Sequence, residues 1–463
     1  MLKHKMKFAF GWLLLSSLVG GCKPTLDAAI APLPGAPTLA PEAYRSDRNM
    51  PRLGWVAEAH SIPGAPGLPA KAGSLTLSAA ITRALNYNAS LKAAFVEIEA
   101  RHGEEAQAAV KPNPELLATV ENFGGTKDRA GFQSAEETLE ISQLIELGDK
   151  RLARLTLAHQ EAAVAGWDYE AARTQVVTNA AQAFVMVLAS QKRIEVLRKA
   201  VTVAEKTTSG VGARVDAGKV SPIELDRVKV GTARAVASVK TEQAKLEAAK
   251  LKLASLWGVN GNDFTLAQGR LASKTTVPTA TRLKSFLDNN PSVARWSDEI
   301  GKRTAQLNLE RSKAVPDIKV GAGVRRYDDT DASAFVASVS MPLQIFDRNT
   351  GNIQAAERRI VKAEYDASAA RSDVASTLFE ALGALSVAAT QIRSLERDVI
   401  PAAERAFDAT QIGYAEGKLD LLNVLDTQKS VFEARLDLVN AQAEYERAKV
   451  QIEALIGRTL DKI

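Results

Sequence analysis

The fold is decided by the stretch between Leu152 and Trp257, in which residues 152–208 read LARLTLAHQEAAVAGWDYEAARTQVVTNAAQAFVMVLASQKRIEVLRKAVTVAEKTT. This run has no proline and a single glycine, Gly166. It therefore predicts one continuous helix, which at 1.5 Å per residue would be roughly 85 Å long and far longer than an average globular helix.

A tight turn and a returning helix are predicted directly after it. Residues 217–224 read AGKVSPIE. Ser221 and Glu224 have the spacing of a capping box, and Pro222 stands at the first helical position, where its missing N–H costs nothing. The two helices together form a long α-hairpin that ends near Trp257.

The returning helix carries apolar residues on two opposite sides. At about 3.5 residues per turn, one seven-residue column lies nearly opposite two others. A helix on a globular core needs one apolar stripe, so two opposed stripes indicate a neighbour on each side, as in a ring of helices. A central helix in an ordinary bundle is the alternative. The first column is Ile223, Val230, Ala237, Ala244 and Leu251, and the other two are Leu225, Thr232, Val239, Leu246, Leu253 and Val228, Ala235, Ala249, Leu256.

Composition excludes several classes of protein. The chain has 463 residues, 5% aromatic residues and a formal net charge of +5, which gives no reason to expect a nucleic-acid partner. The one cysteine, Cys22, rules out an intramolecular disulfide. Long helices rich in Ala, Leu, Glu, Lys and Arg suit this composition.

The N-terminus predicts export and lipid attachment. Residues 1–21 have a basic start followed by an apolar run, which is typical of a signal peptide. The sequence Leu18-Val19-Gly20-Gly21-Cys22 resembles a bacterial lipobox with Cys22 as the lipidated residue, and a lysine after that cysteine suits the outer membrane. Residues 22–74 are rich in proline and predict an extended tether.

The remaining chain is an internal duplication of about 200 residues, far longer than a solenoid repeat. Asn88-Ala89-Ser90 recurs as Asn290-Pro291-Ser292, and Gly218-Lys219 recurs as Gly417-Lys418. Each unit reads as helix (75–110 in the first), two strands, a long helix and a shorter helix; the second long helix, about 351–415, should be kinked by Pro401. The predicted limits are 75–258 for the first unit, with strands at about 116–123 and 132–147, 259–280 for a connector, and 281–463 for the second unit, with strands at about 317–327 and 333–345.

The four predicted strands imply a shared sheet. After Cys22 no apolar run approaches the ~18–20 residues of a membrane helix, so a membrane crossing by this chain requires a β-barrel. The strands are near the length of membrane strands, but the smallest membrane barrels have about 8. An oligomer is therefore expected, and three copies would supply twelve strands.

These features together resemble those of TolC-type outer-membrane efflux factors over essentially the whole mature chain. The resemblance lies in the lipobox, the proline-rich tether, the twofold repeat, the strand pairs and the two turns at residues 217–224 and 414–426. The run Gln143-Leu144-Ile145-Glu146-Leu147-Gly148-Asp149-Lys150-Arg151 is similar to the CzcC branch of that family, which exports cobalt, zinc, cadmium and related cations.

The resemblance implies a mainly α fold in which each chain gives four strands to a shared trimeric 12-stranded β-barrel and long helices to an α-helical barrel. It implies a homotrimer that is lipid-anchored in the outer membrane, extends into the periplasm and has no enzymatic activity. Its partners would be a periplasmic adaptor (membrane fusion protein) and a proton-driven inner-membrane pump of the RND type. The cargo would be heavy-metal cations; a drug pump or type I protein secretion is the alternative, and a lipid-tethered periplasmic scaffold is a third possibility.

The resemblance also places a gate at the helix tips. Asp426 aligns with a carboxylate that rings the periplasmic aperture in the family, and Asn423 stands where a second carboxylate is common. Three symmetry-related carboxylates would favour cations. Leu419 replaces an arginine used by some relatives. The other predicted tip contacts are Glu224, Tyr414, Gly218, Gly417 and Asp420.

Other kinds of site are not indicated. The four histidines, His4, His60, His102 and His159, are scattered along the sequence, and no metal cluster at ligand spacing is present. No motif for a catalytic nucleophile, a nucleotide phosphate or a zinc protease occurs, so no cofactor is expected.

Overall fold

The computed structural model describes residues 72–261, 263–271 and 276–460. The elements of the first half are β1 (Ala72–Thr76), α1 (Leu77–Tyr87), α2 (Ala89–Ala108), β2 (Glu115–Glu121), β3 (Glu136–Ile145), α3 (Lys150–Asp216), α4 (Pro222–Ser255) and β4 (Phe264–Gln268). Those of the second half are α5 (Ala280–Lys284), α6 (Pro291–Lys313), β5 (Ile318–Tyr327), β6 (Ala332–Ser340), α7 (Thr350–Ser394), α8 (Ile400–Ala415) and α9 (Leu421–Ile456).

Helix α3 runs through the length of the helical array. Its 67 residues correspond to roughly 100 Å, so the predicted continuous helix is confirmed and extends further at both ends. Helices α2 and α6 pack along the N-terminal half of α3, next to the strands, and α4 and α9 pack along its C-terminal half. Helix α7 in turn packs on both α6 and α9.

Two asparagines join the helices that are stacked end to end. The Asn88 side chain accepts from the backbone N–H of Leu91 at 3.1 Å and donates to the carbonyl of Leu256 at 2.8 Å. Asn290 likewise caps α6 and donates to the carbonyl of Leu455 at 2.9 Å. Each amide therefore satisfies one unpaired group at the start of one helix and one at the end of another.

A four-stranded antiparallel sheet of order β2-β3-β5-β6 lies beyond the helices. Its register gives one mainly apolar face and one mainly polar face, because successive residues of a strand point to opposite faces. The apolar face carries Leu116, Ala118, Val120, Leu139, Ile141, Ile145, Val320, Ala322, Val324, Phe335, Ala337 and Val339. The opposite, polar face carries Glu115, Glu121, Glu136, Glu140, Lys319 and Arg325, among mostly small and hydroxyl residues.

Asp317 of the second repeat ties the sheet to α3. Its Oδ1 accepts from the backbone N–H of Leu147 at 3.0 Å and from Lys150 Nζ at 2.6 Å. Glu146 pairs with Arg154 one turn into the helix. The segment 143–151 that resembles the CzcC branch is therefore the junction between β3 and α3.

A second, two-stranded sheet corrects the predicted connector. Within 259–280, β4 pairs in parallel with β1, which also means that the predicted tether ends before residue 72 rather than at 74. Phe264 and Trp257 are fully buried beneath this pair, and Trp257 donates to Asp263 at 2.8 Å. The packing of a few apolar side chains outweighs the polar composition that predicted a loop.

Other predicted boundaries also differ from the structure. The predicted helix 75–110 breaks at Asn88, whose extended backbone and capping side chain start α2. The predicted strands 132–147 and 333–345 are shorter: residues 132–135 form a turn before β3, and β6 ends at Ser340. The interruption at Pro401 is confirmed as a π-helical turn, Leu395–Val399, because proline cannot donate to the carbonyl four residues earlier.

No helix in the described ranges combines the length and apolar content of a membrane-spanning segment. The predicted signal peptide at 1–21, Cys22 and the tether up to residue 71 lie outside the described residues.

Candidate functional site

The two hairpin tips end in the same backbone motif. The N–H of Gly218 donates to the carbonyl of Val215, and the N–H of Lys219 donates to the carbonyl of Arg214, at 2.9 and 2.8 Å. Gly417 and Lys418 repeat both bonds in the second tip, at 3.0 and 2.8 Å. The glycines have φ values of +67° and +76°, which residues with a Cβ rarely adopt, so Gly218 and Gly417 permit these sharp helix ends.

A small apolar cluster holds the two tips together. Val211, Val228 and Leu421 are buried there, although they come from three different helices. Leu419 folds back on Gly413, where any Cβ would lie within 3 Å of its side chain. Leu419 thus fills the second tip with an apolar contact.

Tyr414 provides the polar link between the tips. Its hydroxyl donates to Glu224 Oε2 at 3.1 Å, and its backbone carbonyl accepts from Arg214 Nη1 at 2.7 Å. The Arg214 guanidinium also lies 4.5 Å from the centre of the Tyr414 ring, within cation–π distance. Arg214 was missed in the sequence, because its role depends on a partner in the other repeat.

The same link corrects the predicted capping box. Ser221 caps α4 by accepting from the backbone N–H of Ile223 at 3.3 Å, and Pro222 occupies the first turn as predicted. The Glu224 side chain does not return to the cap but reaches Tyr414 instead. Burial and the adjacent Glu224 carboxylate raise the pKa of Tyr414 above its ordinary value, which further disfavours loss of the donated proton.

Asp420, Asn423 and Asp426 lie at the start of α9 with exposed side chains. Asp420 is the N-cap residue but makes no side-chain capping bond. Asp426 belongs to a polar line along the exposed side of α9, which extends far beyond the tip. At alternating steps of three and four residues, it contains Asn423, Asp426, Ser430, Glu433, Asp437 and Asn440.

Two histidines that are distant in the sequence meet in the structure. His102 Nδ1 and His159 Nδ1 lie 3.2 and 2.9 Å from the two carboxylate oxygens of Glu105. This contact links α2 to α3, so two histidines that are far apart in the sequence share one carboxylate. In the described part of the chain, no group of three or more His, Cys, Asp or Glu side chains could hold a metal ion.

Comparison with known proteins adds independent evidence. The family model for outer membrane efflux proteins matches residues 80–259 and 283–458, once for each repeat. The chain is 33% identical over 387 residues to the cobalt-zinc-cadmium resistance protein CzcC of Cupriavidus metallidurans, covering 84% of this chain and 91% of that protein. It is 26% identical to the nickel and cobalt resistance protein CnrC of the same species, covering 59% of this chain and 65% of CnrC.

A solved structure supports the same fold. The crystal structure of CusC, a protein described as forming a transmembrane channel, superposes with a TM-score of 0.72 over 89% of this chain and 99% of that chain, at 16% sequence identity. The array of long helices and the duplicated strand pairs thus define a TolC-like channel fold. The chain belongs to the outer membrane efflux protein family.

Proposed function

We propose that the chain is the outer-membrane duct of a heavy-metal cation efflux system and that it works as a homotrimer. The observation that carries this proposal is an apolar edge of the helical array that one chain leaves uncovered. In the first column of α4, Ile223, Val230 and Leu251 are 64%, 52% and 46% exposed, whereas Val228 and Leu253 on the opposite side are buried. Because α4 has apolar residues on two opposite sides and only one side is covered within the chain, the exposed side, here called the α4 seam, favours contact with another copy.

The opposite edge of the array supplies a different apolar surface for that neighbour. Contact between two different surfaces joins copies head to tail, and such contacts form a ring when the rotation closes. The family resemblance implies three copies. The exposed apolar side chains on α7, α8 and the π-helical turn between them are Val361, Tyr365, Phe379, Val387, Val399 and Ile412.

The sheet supports the same arrangement. Among the described residues, strands β2 and β6 each have a single neighbour, which leaves the hydrogen-bonding groups of both edges available for pairing. Because the strand directions alternate across the sheet, β6 of one copy would meet β2 of the next in antiparallel pairing. Three copies would close twelve strands with the apolar face toward lipid and the polar face toward a water-filled lumen.

Similarity to CzcC and CnrC supports transition-metal cations as the cargo, because those two proteins are named for resistance to cobalt, zinc, cadmium and nickel. The chain would supply a passage rather than catalysis. A periplasmic adaptor (membrane fusion protein) would dock at the helix tips, and a proton-driven RND-type pump of the inner membrane would deliver the cation. Lipid attached to Cys22 would anchor each copy.

Deletion of the gene in its host, with and without a plasmid copy, tests this function. We expect the deletion strain to lose tolerance to zinc, cobalt or cadmium and the plasmid to restore it. Unchanged metal tolerance with new drug sensitivity or a protein-secretion defect would replace the cargo assignment. A purified protein that is monomeric and never conducts ions in planar bilayers would instead support a scaffold role.

The tip residues are proposed as the gate, with Asp426 on the aperture and the Tyr414–Glu224 bond holding it closed. Three copies of Asp426 near one axis would repel anions and hold water or a cation. Asp426→Ala should raise the basal conductance of the assembled trimer or the entry of large antibiotics into cells. A correctly assembled Asp426→Ala trimer with parental leakage would remove the assignment.

A further inference from the structure

Glu140 occupies the middle of the polar face of the sheet, where its side chain lies flat across β5. Its carboxylate accepts a hydrogen bond from the Ser338 hydroxyl on β6. The neighbouring positions of β5 on this face are Gly323, which pairs with Glu140, and Gly321. A Cβ on Gly321 would overlap the Glu140 carboxylate, and a Cβ on Gly323 would overlap the Leu139 carbonyl. The two glycines therefore form a recess that accommodates the glutamate.

Both cations of the polar face are paired with other carboxylates. Lys319 lies 2.5 Å from Glu115, and Arg325 lies 3.1 Å from Glu136 and 3.7 Å from Glu121. Within the described ranges, Glu140 forms no ion pair and its side chain bonds only to the neutral Ser338 hydroxyl. Four carboxylates against two cations give this face a net charge of about −2, and Glu140 contributes one of the two uncompensated charges.

We propose that Glu140 determines the charge preference of the duct within its sheet. The inference rests on the proposed function, because the polar face must line a lumen shared by three copies. The three Glu140 carboxylates would form a ring at mid-height of the sheet, and rings of acidic side chains favour cations over anions in channels. Because the glycine recess holds each carboxylate against the wall, the ring attracts cations without narrowing the passage.

The position of Glu140 makes it a specificity-determining residue for cargo charge. Ions that have passed the tips must cross the sheet last, and an uncompensated negative ring there would lower the energy of a divalent cation and raise that of an anionic or acidic molecule. A purely structural role for Glu140 predicts altered stability but no change in ion preference. The two roles are therefore separable by a measurement of selectivity.

The test measures the reversal potential of the purified trimer in a planar bilayer under a KCl gradient. All variants carry Tyr414→Phe and Glu224→Gln, so that the sheet rather than closed tips limits the current. Glu140→Gln keeps the shape and the acceptor for Ser338 but removes the charge, and it should lower the potassium-to-chloride permeability ratio about two-fold or more. Glu140→Lys should move the reversal potential further in the same direction.

Glu137→Gln is the matched control, because Glu137 lies three residues away on the same strand but on the opposite, apolar face. This control should leave the permeability ratio unchanged. A conducting Glu140→Gln trimer with the same ratio as the Glu137→Gln trimer overturns the inference and leaves the duct intact. A protein that conducts in none of these forms overturns the proposed function, and the inference with it.

Discussion

At the residue scale, one asparagine side chain joins the end of one helix to the start of the next at each of two helix–helix junctions. Asn88 and Asn290 occupy the same place in the two repeats. In each, the amide oxygen accepts a hydrogen bond at the start of one helix and the amide nitrogen donates one at the end of another. Their recurrence in the sequence revealed the duplication but not this role. The role requires a carbonyl that is 168 residues away from Asn88 in the chain, which no local pattern contains.

Replacement of either asparagine should therefore destabilise the protein. We expect Asn88→Ala or Asn290→Ala to cost about 1–2 kcal/mol, since a cap and a hydrogen bond to a part-buried carbonyl are both lost. Asn→Asp at the same positions keeps the cap acceptor and removes only the donor, so its cost should be smaller than that of alanine. Thermal melts of the detergent-purified protein measure both, with the exposed Asn308→Ala in α6 as the control. Equal melting temperatures for Asn88→Ala and Asn308→Ala would contradict the assigned role.

The Tyr414–Glu224 bond belongs to the same scale. Tyr414→Phe removes the hydroxyl while keeping the ring beneath Arg214, and it should loosen the closed tips by about 0.5–1.5 kcal/mol. Entry of vancomycin into cells that express the variant should rise, whereas Tyr87→Phe in α1, outside the tips, should leave it unchanged. If the bond acts as one unit, Glu224→Gln added to Tyr414→Phe should raise entry by less than the two separate effects combined.

At the scale of elements, the sequence predicted the long helices and the repeated units. It did not predict the short strands β1 and β4 or the elements that form only through contacts distant in the sequence. The absence of proline in α3 and the glycine-lysine pairs at the tips gave two hairpins whose existence is confirmed. Strand β4 has only five residues, and its pairing with β1 depends on burial of Phe264 and Trp257, which the sequence pattern does not reveal. Glu224 and Tyr414 were expected as tip contacts from the family resemblance, whereas the bond between them and the partners of Arg214 and Glu140 required the fold.

The junction between α6 and α7 predicts a pH dependence. Burial alone would raise the pKa of Glu310, but hydrogen bonds from Asn349 and Lys313 outweigh it and hold this pKa below its ordinary value. A carboxyl group with a lowered pKa in the folded state stabilises the fold above its unfolded pKa of about 4.3 and loses this contribution as pH falls through the folded pKa.

Glu310→Gln removes this titration. The melting temperature of the parent should fall as the pH drops below about 4.3, the unfolded pKa, and the fall should be smaller in Glu310→Gln because its junction no longer depends on ionisation. Glu396→Gln, an exposed position in the π-helical turn, serves as the control and should follow the parent. A Glu310→Gln variant with the parental slope against pH would show that the junction contributes nothing to acid sensitivity.

The whole molecule is defined by surfaces that one chain leaves open. In the part of the chain that the structure describes, the sheet has two unpaired edges and an apolar face, and α4 exposes its first apolar column to solvent. The apolar columns on opposite sides of α4 predicted this surface from the sequence alone. The number of copies, in contrast, is set by the rotation angle between neighbouring copies. That angle cannot be read from the sequence.

A charge placed in the seam should prevent assembly. Val230→Glu would bury an unpaired carboxylate between copies at a cost of several kcal/mol, whereas Arg234→Glu changes the charge at an exposed polar position of the same helix. We expect Val230→Glu to run as a monomer on native gels and Arg234→Glu to assemble normally. Normal assembly of both variants would exclude the α4 seam from the interface.

The most direct test of the central claim, that identical copies pool their strands and helices into one duct, is a single-particle image of the full chain extracted from membranes. We predict a particle with threefold symmetry, in which twelve strands form one closed barrel that continues into a ring of long helices. A single copy, or an assembly whose β2 and β6 edges remain unpaired, would contradict it.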